Sequence, residues 1–242
     1  MYLSIVIPAL NESEKIGRDV EAASEFLIAN DLTGEIIVVD DGSGDETAER
    51  ARKAGENLAP TIGFQVISLA EHRGKGCAVR TGISKSIGEY VMFADSGCCV
   101  PYGNALPGLE LLCQGNCDIA HGSRKLLESD IGQDQPWRRR VCAKFFKWFV
   151  NTIVTIGYEF SDTQCGFKIY RGEVARKLYG QAECDGFMFD IEIILLAEKH
   201  GFRIEEFAVE WACDLDSRLS ITRTPWPALA ELIRIKRRLG KK

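Results

Sequence analysis

The chain has 242 residues, of which 45% are hydrophobic and 27% are charged, and its formal net charge is −5. This length suits one large α/β domain, and the net negative charge argues against general affinity for nucleic acid. Its 9 cysteines include no C-x-x-C pair, so neither a zinc site nor a thiol redox site is indicated. Free thiols in a reducing cytosol are expected instead.

The first half of the chain is predicted to alternate strands and helices. Strand-like runs cover residues 2–7, 35–39, 64–69, 90–94 and 117–122, and helical patterns cover residues 12–29, 46–58, 74–87 and 104–113. Pro8 is expected to end the first strand. Because such alternation is typical of parallel sheets, we predict an α/β fold with a mostly parallel central sheet and helices on both faces.

The second half is less regular. Helical patterns cover residues 137–156, 173–179, 189–200 and 227–239, a strand-like run covers 166–170, and residues 202–211 alternate as an edge strand does. Strand-like residues begin at Tyr2 and no run approaches the ~18 apolar residues of a membrane span, so no signal peptide or transmembrane segment is expected. We predict a single domain over residues 1–242 and a cytoplasmic location.

Polar residues follow two strands that are expected to be neighbours. Asn11 and Glu12 follow the first strand, and Asp40 and Asp41 end the second. Ligands of open α/β sheets bind at the carboxyl ends of strands, where a carboxylate can accept hydrogen bonds from a base or a ribose. A plainer interpretation is that Asn11 or Ser13 caps the next helix, and that Ser43 or Asp45 caps the one after Asp41.

A glycine-rich stretch with positive charge begins the third predicted helix. Gly74 and Gly76 allow close backbone approach, and Lys75 and Arg80 add cations where the helix dipole favours an anion. This pattern predicts a diphosphate site, although a turn with solvated cations remains an alternative. Asp95 follows the fourth strand and could hold a divalent cation against that diphosphate.

A series of ordered motifs resembles those of the family 2 glycosyltransferases, which have the GT-A fold. Within that family the resemblance is to the dolichyl- or polyprenyl-phosphate β-glucosyltransferases, and it covers nearly the whole chain. The motifs are P-A-L-N-E at residues 8–12, V-D-D-G-S at 39–43, G-K-G at 74–76, G-S-R at 122–124, D-T-Q-C-G-F-K at 162–168, F-D-x-E at 189–192 and Ser-Arg at 217–218. The D-T-Q-C-G-F-K match is the most specific.

The resemblance implies a Rossmann-like nucleotide-diphospho-sugar transferase, with a nucleotide-sugar-binding half at residues 1–123 and an acceptor-side half at 124–242. It implies inverting transfer of glucose from UDP-glucose to a polyprenyl or dolichyl phosphate at the cytoplasmic membrane face. Use of GDP-mannose, or of an acceptor that is not a polyprenyl phosphate, stays open as an alternative.

The resemblance also implies roles for individual residues. The implied nucleotide-binding residues are Pro8, Ala9, Asn11, Glu12, Asp40, Asp41, Gly74, Lys75 and Arg80. The implied catalytic residues are Asp95, Asp162 and Asp190, of which the last two contact the sugar or handle a proton. The implied diphosphate or acceptor contacts are Arg124, Arg138, Lys168, Ser217 and Arg218. In a plainer interpretation, Asp190 and Glu192 only complement the dipole of the helix that they begin.

The sequence departs from the family at one position. Family members carry Asp-x-Asp after the fourth strand, whereas Gly97 here stands in place of the second acid. Asp95 is therefore the implied ligand of Mg²⁺ or Mn²⁺, and the expectation of a bound metal is weakened. A further alternative follows: a nucleotide-sugar-binding module whose catalysis is impaired.

Two basic segments suggest contact with a membrane surface. Arg138, Arg139 and Arg140 precede an aromatic-rich helical pattern, and the closing helical pattern at 227–239 is amphipathic and basic. Such helices can lie at a membrane interface with their cations near lipid phosphates. We predict peripheral membrane contact, and the alternative for the first segment is a core helix with a solvated basic start.

Overall fold

A computed structural model describes residues 1–129, 160–211 and 226–239. The strands are β1 (Leu3–Ala9), β2 (Gly34–Asp40), β3 (Gly63–Ser68), β4 (Tyr90–Ala94), β5 (Ile119–Ser123), β6 (Phe167–Arg171) and β7 (Ile204–Ala208). The helices are α1 (Ile16–Ala29), α2 (Thr47–Gly55), α3 (Lys75–Lys85), α4 (Ala105–Cys113), α5 (Gly172–Tyr179), α6 (Phe189–His200) and α7 (Trp226–Leu239), and a 3₁₀ turn (Tyr102–Asn104) precedes α4.

The described strands form one seven-stranded sheet in the order β3-β2-β1-β4-β6-β5-β7. Every neighbouring pair is parallel except the two that contain β6, which runs antiparallel to β4 and β5. The prediction of a mostly parallel sheet is confirmed. β6 comes from the second half of the chain and lies between two strands from the first half, so both halves contribute to one sheet.

Helices cover both faces of the sheet, as predicted. One apolar cluster joins α1, α2 and α4 to side chains such as Ile5 and Ile36, and the other joins α3, α5, α6 and α7 to side chains such as Val6 and Ile37. Successive residues of a strand point to opposite faces, and both faces are covered here, so strands such as β1 and β2 are continuously apolar.

The prediction that Pro8 ends the first strand is wrong, because β1 continues to Ala9. The Leu3 N–H and the Ala9 carbonyl both form hydrogen bonds on the side of β2, so the backbone groups of odd-numbered residues in β1 point towards β2. The backbone of Pro8, an even-numbered residue, therefore points towards β4. The β1–β4 ladder has already ended at Val6 and Phe93, so no partner there requires the N–H that proline lacks.

Most other element boundaries lie within two or three residues of the predicted ones. The largest difference is at α1, which begins at Ile16 rather than at residue 12. Among the described strands β7 lies at an edge of the sheet, as its alternation predicted. The predicted helix at residues 137–156 lies outside the described residues.

Candidate functional site

Strand direction places the polar motifs at one edge of the sheet. The carboxyl ends of β1, β2, β4 and β5 meet there, because these strands are parallel to one another. β6 runs the opposite way, so the segment before it reaches the same edge, and the Asp95 N–H bonds to the Gly166 carbonyl at 2.8 Å. The sheet thereby brings the 162–166 segment to the ends of β1, β2 and β4.

The loops after β1 and β2 are bonded to each other. The N–H groups of Asn11 and Glu12 donate to the hydroxyls of Ser43 and Thr47, each at 2.8 Å, and the Gly44 N–H donates to Asn11 Oδ1 at 2.8 Å. The alternative in which Asn11 or Ser13 caps α1 is wrong, because no side chain caps that helix and Asn11 contacts the other loop instead. Asp45 Oδ1 does accept the first N–H of α2, from Thr47 at 3.0 Å.

Asp40 and Asp41 are both buried at the end of β2. Asp40 accepts the Ser43 N–H at 3.1 Å, which stabilises the turn after the strand. Asp41 accepts the N–H groups of Arg73 and Gly74 at 2.9 and 2.8 Å, and its Oδ2 lies 2.7 Å from His72 Nδ1. Asp41 is thus placed to support the loop before α3, and the contact with a nucleoside that both carboxylates are expected to make stays a prediction.

At Gly74 and Gly76 the expected close approach to the backbone is made by another segment of the same chain, residues 184–186. A Cβ added to either glycine would lie 2.4 Å from a carbonyl oxygen, of Asp185 and of Cys184 respectively, and Gly74 has a φ of +117°. The Cys77 N–H donates to the Asp185 carbonyl at 3.1 Å. The first turn of α3 therefore packs directly on residues 184–186.

Arg80 also binds this segment. Its guanidinium pairs with the Asp185 carboxylate, which Arg73 contacts as well at 3.0 Å. Burial raises the pKa of Asp185, but the pairs with Arg80 and Arg73 outweigh burial, so that pKa is lowered. Arg80 anchors residues 184–186 to α3, and its contact with a diphosphate stays a prediction.

Four charged side chains, which we call the charge cluster, lie at the end of β4: Lys75, Asp95, Lys168 and Asp190. Lys75 Nζ lies 2.6 Å from Asp95 Oδ1, and Lys168 Nζ lies 2.5 Å from Asp190 Oδ1. The Phe93 ring lies near both pairs, with its centroid 5.8 Å from Lys75 Nζ and 5.3 Å from Lys168 Nζ. Cations held in such surroundings interact with a nearby anion more strongly than solvated cations do.

Burial and opposite charges shift the pKa values of two members of the charge cluster, Asp190 and Lys75. Burial raises the pKa of Asp190, although Lys168 and Lys75 act to lower it. Burial lowers the pKa of Lys75, but Asp95 and Asp190 outweigh it, so that pKa is raised and the ammonium stays charged. Asp190 is therefore better suited than Asp162 to hold a proton.

Lys168 is fully buried and its ammonium is saturated. It donates to the carbonyls of Thr163 and Cys165 at 3.2 and 2.9 Å, in addition to Asp190. An ammonium has three donors, and all three are used here. Lys168 is placed to hold the 163–165 segment, and the diphosphate or acceptor contact expected of it stays a prediction.

Asp162 is paired with Arg124 at the end of β5. Arg124 Nε and Nη2 donate to the two carboxylate oxygens at 2.6 and 3.0 Å. Although burial raises the pKa of Asp162, the Arg124 guanidinium outweighs it and lowers that pKa to about 2. Asp162 is therefore ionised near neutral pH, which disfavours a role as an acid and leaves a contact with the sugar as the prediction.

The turn that carries Gly97 is bonded to α1. Gly97 has a φ of +96°, and its N–H donates to Asp19 Oδ2 at 2.8 Å. The Cys98 N–H and thiol both donate to Asp19 Oδ1 at 2.8 Å. Sequence reasoning missed Asp19, although its position three residues after Ile16 and four before Ala23 puts a carboxylate on the apolar face of α1.

Asp95 is the residue at this edge that the sequence predicts as the ligand of a divalent metal. The described residues contain no group of three or more His, Cys, Asp or Glu side chains that could hold a metal ion. Mg²⁺ is commonly bound through one or two carboxylates together with substrate phosphates. The Asp95 side chain is 38% exposed, so this donor set fits a metal ion that arrives with a phosphate ligand.

Other residues expected at the site lie outside the described residues, namely Arg138, Ser217 and Arg218. Sequence reasoning also missed Asp185 and Glu206. Glu206 accepts the N–H groups of Ser161 and Asp162 at 2.9 and 3.0 Å. Glu206 lies on β7 and joins this strand to the segment that carries Asp162. No local sequence pattern indicates this pairing.

Two solved structures are similar in fold to this chain. Glucosyl-3-phosphoglycerate synthase from Mycobacterium tuberculosis, in complex with Mn²⁺, UDP-glucose and phosphoglyceric acid, is similar with a TM-score of 0.71 and 20% identity over 97% of this chain and 79% of that one. Mannosyl-3-phosphoglycerate synthase from Rubrobacter xylanophilus is similar with a TM-score of 0.70 and 19% identity over 99% of this chain and 75% of that one. The fold is that of the GT-A nucleotide-sugar transferases, as predicted.

Sequence similarity then defines the family. The model of glycosyl transferase family 2 matches residues 4–179. Dolichyl-phosphate beta-glucosyltransferase from Dictyostelium discoideum is 31% identical over 98% of this chain and 74% of its own length, and the Homo sapiens protein of that name is 32% identical over 86% and 67%. The chain belongs to glycosyl transferase family 2, and it is a glycosyltransferase.

Proposed function

We propose that this glycosyltransferase moves glucose from UDP-glucose to the phosphate of a polyprenyl or dolichyl phosphate. The sugar and the class of acceptor in this proposal follow from the name of the relatives, dolichyl-phosphate beta-glucosyltransferase. The structural observation that carries the proposal is the Lys75–Asp95 pair, which lies where β4 ends and α3 begins. A helix start and a held ammonium together suit the diphosphate of a nucleotide sugar.

The chemistry that such a site must perform is modest. A phosphate monoester is already anionic near neutral pH, so attack on the sugar carbon needs no strong general base. The main tasks are alignment of the two substrates and stabilisation of the charge that develops on the departing UDP. We propose that Lys75 serves the second task, and that Asp190, whose pKa burial raises, contacts the sugar or handles a proton.

We propose that Asp95 binds Mg²⁺ or Mn²⁺ together with the donor phosphates. A bound metal ion would neutralise charge on the diphosphate as a Lewis acid. Gly97 contributes no carboxylate, so metal binding to the protein without nucleotide should be weak. The similar solved structure holds Mn²⁺ together with UDP-glucose.

The exposed side of α7 supports peripheral contact with a membrane. Trp226 is 72% exposed and Ile233 is 38% exposed, and the cations Arg234, Lys236 and Arg237 lie beside them at the surface. Apolar side chains flanked by cations suit a helix that lies on anionic lipid. None of the helices in the described part of the chain is long and apolar enough to span a bilayer. We propose that α7 lies on the cytoplasmic face of the membrane.

A transfer assay tests the proposal directly. Radiolabelled UDP-glucose, UDP-N-acetylglucosamine and GDP-mannose are each incubated with mixed polyprenyl phosphates, with and without Mg²⁺ or Mn²⁺. We expect labelled lipid from UDP-glucose, a loss of product in the Lys75→Met variant, and wild-type activity in Lys85→Met, which removes an exposed lysine from the other end of the same helix. Product from GDP-mannose alone, or transfer only to other acceptors, would refute the donor or the acceptor assignment.

Gly97 supports a second candidate, a nucleotide-sugar-binding module without turnover. A Gly97→Asp variant is a poor test of it, because the φ of +96° strains any residue with a Cβ. Assays of the wild-type protein distinguish this candidate from the transferase instead. UDP binding without transfer to any acceptor favours the module, and robust turnover excludes it.

A further inference from the structure

The loop between α5 and α6, which we call the 181–188 segment, lies between the first turn of α3 and the C-terminal helix. On its α3 side, Asp185 pairs with Arg73 and Arg80, and the Asp185 carbonyl accepts the Cys77 N–H. The glycines at 74 and 76 permit this contact, since no side chain fits between the two segments. The position of the first turn of α3, which carries Lys75, therefore depends on the position of the 181–188 segment.

The opposite side of the 181–188 segment is bonded to α6 and α7. Glu192 Oε2 accepts the N–H groups of Glu183 and Cys184 at 3.0 and 2.8 Å. Its other oxygen pairs with Arg238, which also lies 2.6 Å from Glu183 Oε1 and donates to the Gln181 carbonyl at 3.1 Å. One arginine of α7 thus contacts the segment directly at Gln181 and Glu183, and it pairs with the α6 carboxylate that accepts two of the segment's N–H groups.

A second residue of α7 contacts the same segment. Glu231 Oε2 accepts the Met188 N–H at 3.2 Å. A Cβ added to Gly186 would lie 1.9 Å from Glu231 Oε1, so the helix packs tightly against the segment there. Contacts near both ends of the segment fix its backbone from the side that faces away from α3.

We propose that Arg238 and Glu192 are positioning residues for donor binding. Through the 181–188 segment they hold the first turn of α3, so that the C-terminal helix sets the affinity for the nucleoside diphosphate without touching it. This inference rests on the proposed function, because it takes the nucleoside diphosphate to bind at α3. It gives the inner side of α7 a role separate from the membrane contact of its outer side.

The test measures UDP binding by calorimetry in the absence of lipid, so that the membrane contact of α7 does not contribute. Arg238→Met should weaken UDP binding about two- to thirty-fold, the range of couplings carried through intervening residues. Arg238→Lys should restore part of the affinity, because it returns the charge without the bidentate geometry. Glu192→Gln is a milder variant that keeps an acceptor for the Glu183 and Cys184 N–H groups and weakens the pair with Arg238.

The control is Lys199→Met, which removes an exposed lysine from the last turn of α6 and should bind UDP as the wild type does. All affinities are compared below the onset of thermal unfolding, and hydrogen exchange reports the Cys77 N–H, which should exchange faster in Arg238→Met. Wild-type UDP affinity and Cys77 protection in both Arg238→Met and Glu192→Gln would overturn the inference alone. A wild-type protein that binds no UDP would overturn the proposed function together with it.

Discussion

Gly166 illustrates how one residue without a side chain positions a functional one. A Cβ at this position would lie 2.0 Å from Asp95 Oδ2, and the Gly166 carbonyl accepts the Asp95 N–H at 2.8 Å. The glycine of the D-T-Q-C-G-F-K motif therefore leaves room for the carboxylate that pairs with Lys75. The absence of a side chain at this position therefore helps to locate Asp95.

Gly166→Ala should lower transfer activity strongly while the protein stays folded. The methyl group must displace Asp95, and a misplacement of about 1 Å at a reacting group can cost about 100-fold in rate. The measurement is kcat and KM for the donor, with thermal unfolding as a check on the fold. Gly103→Ala is the matched control, since nothing lies within 4 Å of its added Cβ. Equal activity of the two variants would contradict this role.

Lys168→Met should destabilise the protein by about 3–5 kcal/mol, the range for breaking a buried ion pair from one side. The change leaves the buried Asp190 without its ammonium partner and also frees the carbonyls of Thr163 and Cys165. Urea unfolding measures the loss, and Lys53→Met, an exposed lysine of α2, should change stability by less than about 0.5 kcal/mol. If the double variant Lys168→Met/Asp190→Asn is no more stable than the single one, the explanation by an unpaired charge fails.

At the scale of elements, α7 has two sides with different chemistry. Leu232 and Ile235 are buried against the second apolar cluster, whereas Trp226 and Ile233 are exposed. An ordinary surface helix would present polar residues outwards. The apolar outer side with flanking cations is therefore the feature that distinguishes α7 from an ordinary packed helix.

Binding to anionic vesicles should depend on this outer side. Removing the Lys236 charge by Lys236→Gln should weaken binding by about 1 kcal/mol, the contribution of one cation near the surface, and this effect should disappear at high salt. Ile233→Ser should weaken binding at every salt concentration, because the contact that it removes is apolar. Vesicle sedimentation measures both effects, with Ile28→Ser, an exposed isoleucine of α1, as the control. Binding of Ile233→Ser equal to that of Ile28→Ser would refute a membrane contact through this side.

At the scale of the whole molecule, one sheet edge collects charge from both halves of the chain. The Lys75–Asp95 pair joins the start of α3 to the end of β4, the Arg124–Asp162 pair joins the end of β5 to the segment before β6, and Lys168–Asp190 joins β6 to α6. Each pair spans elements that are distant in sequence. Stability should therefore respond to pH where the paired Asp162 titrates.

Acid should destabilise the protein partly through Asp162. Its pKa is lowered from 3.8 to about 2 in the folded state, so the stabilisation is fully present above pH 4 and is lost as the pH falls through 2. The shift corresponds to about 2 kcal/mol. Urea unfolding at a series of pH values should show this loss in the wild type and in Asp31→Asn, an exposed turn residue, but not in Asp162→Asn. An equally steep decline in Asp162→Asn would rule out this origin.

Much of the fold could be predicted from the sequence, because strand and helix periodicity are local properties. The alternating pattern of the first half was sufficient to predict a mostly parallel sheet with helices on both faces. The motif order was sufficient to recognise the family, which the family model and the relatives confirm. Boundaries such as the start of α1 depended on contacts between loops, which no local pattern contains.

The amino-acid sequence by itself determined which elements form and which polar residues follow them, since burial periodicity and turn chemistry act over a few neighbouring residues. Only the tertiary structure decided the pairing of those residues. Because β6 runs antiparallel to β4, Asp162 and Gly166 lie at the carboxyl edge of the sheet. Because the 181–188 segment packs on α3, Asp185 forms an ion pair with Arg80. Those pairings depend on long-range contacts between elements whose partners lie tens of residues apart, so the physical reason for each lies in the sheet order and not in the local sequence.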